Sequence, residues 1–138
     1  MKRIGDETLI KEIVTAVRQG FAFDLSWEEQ SPQWLPVKQA DIIGYKGEYL
    51  YIEIELFKKY KCELLRVFFG SGKVYLIGLN SVCELNCEDA ELIEESFYSD
   101  SFYVSQSMKR VMYFFHEGTV TFAGKHFLHK IKKVLANP

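Results

Sequence analysis

The chain has little with which to staple, anchor or charge itself. Its three cysteines, Cys62, Cys83 and Cys87, are odd in number, and none has the paired Cys or His spacing of a metal site. They read as incidental thiols of a reducing compartment. No run approaches the ~18 apolar residues of a membrane span. Met1-Lys2-Arg3-Ile4-Gly5-Asp6 lacks the apolar core of a secretion signal, so a cytoplasmic protein without a membrane partner is expected. Net charge is nearly absent: 17 Lys and Arg stand against 19 Asp and Glu, a sum of −2. That excludes a general nucleic-acid binder, which needs a basic surface to neutralise phosphates. No internal repeat, linker or low-complexity segment interrupts the sequence.

Apolar residues, by contrast, are plentiful. They make up 48% of 138 residues, enough for one self-sufficient core, and the expectation is a single domain over 1–138. Aromatics reach 15%, with 11 Phe, 8 Tyr and 2 Trp. Most suit a Phe-rich core edged by tyrosines. Tyr and Trp are also favoured where proteins meet, so a contact surface is the alternative use.

Periodicity orders the elements. Leu9, Ile10, Ile13, Val14 and Val17 make a helical stripe over 6–18, with Asp6 as N-cap and Gly20 as stop. Alternation then predicts strands over 21–27 and 39–45, separated by a loop over 28–38 that carries Pro32, Pro36 and Trp34. Lys46-Gly47 turns the chain into a strand over 48–57. There Leu50, Ile52, Ile54 and Leu56 face one way, and Tyr51, Glu53, Glu55 and Phe57 the other. Residues 58–69 fit either a helix stripe or a strand. The strand is preferred because Gly70-Ser71-Gly72 before Val74-Tyr75-Leu76-Ile77 resembles a hairpin turn. Asn86 can cap an acidic helix whose apolar side holds Ala90, Ile93 and Phe97. Residues 98–103 read as a polar connection. Met108, Val111, Met112 and Phe115 predict another helix, ended by Gly118, with a short edge strand over 119–122. Residues 125–135 close the chain as a helix. The expected fold is α+β: an antiparallel meander of four to five strands, an N-terminal helix and three C-terminal helices, packed mostly on one face.

Charge is segregated along the chain. From Glu84 to Asp100 there are seven acids, Glu84, Glu88, Asp89, Glu91, Glu94, Glu95 and Asp100, with no Lys or Arg. From Met108 onward six bases face the single acid Glu117. An acidic pole attracts basic partners and raises the encounter rate. His126 and His129 share one face of the last helix, but Lys125, Lys130 and Lys133 beside them disfavour a metal. Gly70-Ser71-Gly72-Lys73 is too short to cradle a phosphate. No cofactor is implied.

Two local resemblances extend this. Asp41, then Glu53-Ile54-Glu55 and Lys58, resembles the Asp…Glu-x-Glu form of the restriction-endonuclease-like motif. There acids at the ends of adjacent strands hold a divalent metal that activates water. The proline that often precedes the Asp is replaced by Gln39-Ala40, and the third motif position lacks lysine. The second resemblance runs from Arg66-Val67-Phe68-Phe69-Gly70-Ser71-Gly72-Lys73-Val74-Tyr75-Leu76 through the acidic helix to Tyr103-Val104-Ser105-Gln106-Ser107-Met108-Lys109-Arg110-Val111-Met112-Tyr113-Phe114-Phe115. In element order and apolar patterning it is similar to immunity proteins of contact-dependent growth inhibition systems. That likeness implies a small bacterial protein, not an enzyme, that binds and occludes a cognate toxin, often a basic nuclease. On this reading Glu88, Asp89, Glu91, Glu94 and Glu95 steer the partner, and Tyr98 and Tyr103 anchor it. The alternatives are a metal-dependent nuclease using Asp41, Glu53, Glu55 and Lys58, and a regulatory or self-associating subunit.

Overall fold

The computed structural model describes residues 1–21, 47–77 and 81–136. The strands expected over 21–27 and 39–45, the intervening loop, and Asp41 lie outside them, apart from Phe21. Seven antiparallel strands form one sheet: β1 (Lys2–Arg3), β2 (Tyr49–Glu53), β3 (Val74–Ile77), β4 (Val82–Leu85), β5 (Ser101–Ser105), β6 (Val111–Phe115) and β7 (Thr119–Ala123). Their spatial order is β1-β4-β3-β5-β6-β7-β2. The helices are α1 (Glu7–Phe21), α2 (Ile54–Lys59), α3 (Lys61–Phe69), a 3-10 helix (Cys87–Ser96) and α4 (Lys125–Leu135). The α+β class holds, with more strands and fewer C-terminal helices than the sequence suggested.

Registers make the alternation visible. Leu76 pairs with Tyr103, Tyr103 with Met112, Met112 with Phe122 and Phe122 with Leu50. This row lies on the face covered by α2, α3, α4 and the 3-10 helix, through Phe57, Leu64, Phe68, Ile93, Phe127 and Ile131. Tyr75, Val104, Val111 and Ala123 form a row on the opposite face. There α1 packs with Ile13, Val17 and Phe21.

The expected helix over 105–117 is instead the β5–β6 hairpin and the start of the next turn. All five residues of β6 are buried. A strand covered on both faces is apolar throughout rather than alternating, and such a run contains a helical stripe by accident. The hairpin turn holds Met108 at φ 61. The Ser105 hydroxyl accepts from Lys109 N at 3.2 Å and Arg110 N at 3.0 Å. Residues 119–123 are correspondingly an inner strand, between β6 and β2, not an edge.

Two further expectations are corrected. The strand over 48–57 stops at Glu53, and the chain coils into α2, whose first amide, Ile54 N, donates to Gly118 O at 2.8 Å. Ile54 and Phe57, three apart, are then inside while Leu56 is exposed, the reverse of continued alternation. Residues 61–69 are helical, burying Leu64, Leu65, Phe68 and Phe69. Gly70-Ser71-Gly72 is therefore a helix exit, not a hairpin turn, with Gly70 at φ 60. Arg110 crosses from the hairpin to cap that exit: its Nε donates to Phe68 O at 2.7 Å and its Nη2 to Phe69 O at 3.2 Å. Burial holds the Arg110 pKa below its usual value. Among the described residues no helix is long and apolar enough to cross a membrane.

Gly124, the N-cap of α4, sits at φ 125, and a Cβ there would lie 2.2 Å from Lys109 O. Gly124→Ala is expected to cost at least about 2 kcal/mol from backbone strain and collision, read as a lower urea midpoint. Tyr103 supplies a pH-dependent prediction. Burial pushes its phenol up to about 12 from 10.0. The unfolded chain therefore loses this proton first, and the contribution to stability is full below pH 10 and falls as pH rises toward 12. The stability difference between wild type and Tyr103→Phe should shrink over that window by on the order of 2–3 kcal/mol. A difference that stays constant from pH 9 to 12 in urea titrations would refute it.

Candidate functional site

Asn86 starts the acidic element as the sequence suggests. Its side chain accepts from Glu88 N at 2.9 Å, and Asp89 Oδ2 accepts from Asn86 N at 3.1 Å, a reciprocal capping box. The helix that follows is 3-10, where side chains three apart eclipse. That period sorts the residues into rows. Ala90, Ile93 and Ser96 turn inward, with Ile93 and Ser96 buried. Glu88, Glu91 and Glu94 line one outer row, and Asp89, Leu92 and Glu95 the other. Leu92 is 37% exposed and is not part of the apolar side that an α-helical period would give it.

The seven acids divide by use. Glu84 pairs with Lys73 at 3.2 Å. Asp89 is committed to the capping box and to the Met1 amino nitrogen at 2.7 Å. That ammonium, then the Asn86 amide, holds its carboxyl below the usual range. Glu94 is ion-paired with Lys61, whose pKa it raises. Asp100, 7% exposed, accepts from Tyr113 Oη at 3.2 Å, His116 N at 3.1 Å and His116 Nδ1 at 3.0 Å. Glu88, Glu91 and Glu95 remain exposed and outside any ion pair among the described residues.

Tyr98 follows shortly, and its backbone, like that of Met108, is strained. It sits at φ 63, a region that bulky side chains rarely occupy, and it is 52% exposed. Its hydroxyl donates to Glu55 Oε1 at 3.1 Å. Lys58 Nζ donates to the same carboxylate oxygen at 3.2 Å and to Tyr98 Oη at 3.4 Å. The ammonium also stands 5.2 Å from the centroid of the Tyr98 ring and 5.9 Å from that of Phe97, in cation–π reach. The bond from Lys58, then that from Tyr98, lowers the Glu55 pKa, and Glu55 raises that of Lys58. From below, Gly118 at φ 92 leaves room for the ring: a Cβ there would lie 3.3 Å from Tyr98 Cε1.

Two residue sets proposed for different chemistries thus meet at one place. Glu55 and Lys58, weighed as nuclease residues, hold Tyr98, weighed as a partner anchor. Glu53 ends β2 as the N-cap of α2 and makes no side-chain cap bond, so it does not share a continuous strand face with Glu55. Tyr103 is corrected outright: it is 1% exposed, its ring packs edge-on to Phe114 at 5.9 Å, and its hydroxyl shares a hydrogen bond with Ser96. It is core and offers no partner contact. The Asp100–His116 pair was missed, since two polar residues 16 apart meet only through a hairpin that the sequence reads as helix.

The ring of Tyr98 and the turn beneath it should behave as one unit. Gly118→Ala is expected to cost about 1–2 kcal/mol and to move the Tyr98 ring resonances. In a Tyr98→Asn background, where Asn tolerates the positive φ, the same substitution should cost less. Additive costs in urea denaturation would show that the ring does not lean on the turn.

No protein-family model, no curated protein and no solved structure matches this chain.

Proposed function

We propose that this chain is a non-enzymatic binding protein of the immunity or antitoxin kind, which occludes a cationic partner such as a basic nuclease toxin domain. The observation that carries the reading is Tyr98: an exposed aromatic held in a strained backbone conformation by Glu55 and Lys58, just after a helix that carries three acids outside any ion pair among the described residues. Strain of this kind persists only where surrounding contacts over-determine it, and it clusters at sites of function. A fixed, amphipathic ring loses little conformational freedom on docking, which is what an interface anchor requires. Glu88, Glu91 and Glu95 supply the attraction, and Leu92 an apolar contact beside them. Asp89 and Glu94 act mainly within the fold.

The roles divide by rate. Free surface acids raise the rate of encounter with a basic partner, and a buried anchor slows departure. The test is first whether a toxin domain is encoded beside this chain, and then the affinity of this chain for that domain, measured by surface plasmon resonance. Tyr98→Asn should weaken binding by at least ~2 kcal/mol, chiefly through faster dissociation. Glu88→Lys with Glu91→Lys and Glu95→Lys should slow association and flatten its salt dependence. Failure of the wild type to bind or protect against that domain, or equal binding by both variants, would overturn the proposal.

A further inference from the structure

The basic pole of the chain is not used by the surface described above. Helix α4 contains no acid in Lys125–Leu135 and carries Lys125, His126, His129, Lys130, Lys132 and Lys133. Phe127, Leu128 and Ile131 turn inward. On its outer side Lys125, His126, His129 and Lys132 line an open cleft of about 310 Å³, which Glu48, just before β2, bounds as well. All four are exposed, and among the described residues none of the four is in an ion pair. Lys125, His126, His129 and Lys132 thus share the lining of one cleft, on one side of a single helix.

We propose that this cleft binds the phosphoryl group of a small phosphomonoester. Size argues for a small ligand, since the cleft lies at the low end of the ~300–1,000 Å³ range of small-molecule sites. Charge and valence argue for phosphate over carboxylate. A phosphomonoester carries about −1.5 to −2 charge and three strong acceptor oxygens, and so can meet two ammonium groups and two imidazoles at once. A carboxylate has half the charge and two oxygens. Lysine suits this role as a mobile point charge.

The test is a titration of the full ¹⁵N-labelled chain, followed by amide shifts, with glycerol 1-phosphate, inorganic phosphate, and chloride at matched ionic strength. Saturable shifts confined to residues 48 and 125–132 are expected with both phosphates and not with chloride. The exposed double variant Lys125→Gln with Lys132→Gln should bind at least tenfold more weakly while keeping the shifts of the core unchanged. His126→Asn and His129→Asn should each weaken binding several-fold. Shifts that match those from chloride, or survive the double variant, would overturn the site. Tighter binding of a DNA duplex or of anionic vesicles through the same residues would overturn the small-molecule assignment.

Discussion

Burial of β6 on both faces is the constraint from which the rest of the architecture follows. Val111, Met112, Tyr113, Phe114 and Phe115 are all buried, so each face of the sheet needs its own cover. Phe114 meets Phe57 at 5.2 Å, Phe97 at 5.5 Å and Tyr103 at 5.9 Å between ring centroids. Phe122 and Phe127 extend the same cluster at 5.8 Å. Edge-to-face contacts of this kind add to the area term of burial. On the other face Phe102 takes Phe21 of α1 at 6.5 Å. Much of the aromatic surplus is thereby accounted for as core. Tyr51 and Tyr98 are the exposed exceptions among the described aromatics, and Tyr98 differs from Tyr51 in its positive φ and in the bonds its hydroxyl makes to Glu55 and Lys58.

The same constraint explains how a surface comes to be held rigidly. Phe57 is inside because α2 begins at Ile54, whose amide is satisfied by Gly118 O in the β6–β7 turn. Glu55 and Lys58 are then on the outer side of α2, within reach of Tyr98. The segment bearing Tyr98 is fastened behind by Asp100 to His116 of that same hairpin turn. The turn thus supports the ring from beneath, bonds the first amide of the helix that holds its hydroxyl, and ties down the strand that follows it.

Legibility of the fold in the sequence tracked how much of each element meets water. α1 and α4 have one wet face, so their stripes and approximate ends were readable, although α1 runs through Gly20 to Phe21. Asn86 was readable as a cap because capping is local chemistry. β5 and β6 were not, and 119–122 was readable as a strand but not as an inner one. They lie inside the sheet with both faces covered, and the alternation that marks a half-wet strand is missing there. The switch at Ile54 was hidden for another reason. Leu50, Ile52, Ile54 and Leu56 alternate perfectly, and nothing in that alternation marks where β2 gives way to α2. The site shows the same split. Acidity was visible as a run, but which acids are spent depends on Lys61, Lys73, Tyr113 and His116, none adjacent to its partner in sequence. Tyr98 and Tyr103 are alike in type and neighbourhood, and tertiary packing alone separates anchor from core.

Net charge conceals what the fold does with charge. A sum of −2 suggests indifference to electrostatics, yet the acids and the bases are placed under different rules. Four of the seven acids between Glu84 and Asp100 are consumed by ion pairs, a cap or a buried carboxylate site, leaving three outward. The cations of α4 are left without acids on their own helix, so each adds repulsion to its neighbours at spacings of three and four. An exposed ion pair contributes little to stability, and neutralising these lysines would have cost the fold almost nothing. That the charge stays uncompensated on one element while it is largely compensated on another is a property of surfaces, not of cores. It separates an acidic surface that carries Glu88, Glu91 and Glu95 from a basic one that carries Lys125 and Lys132.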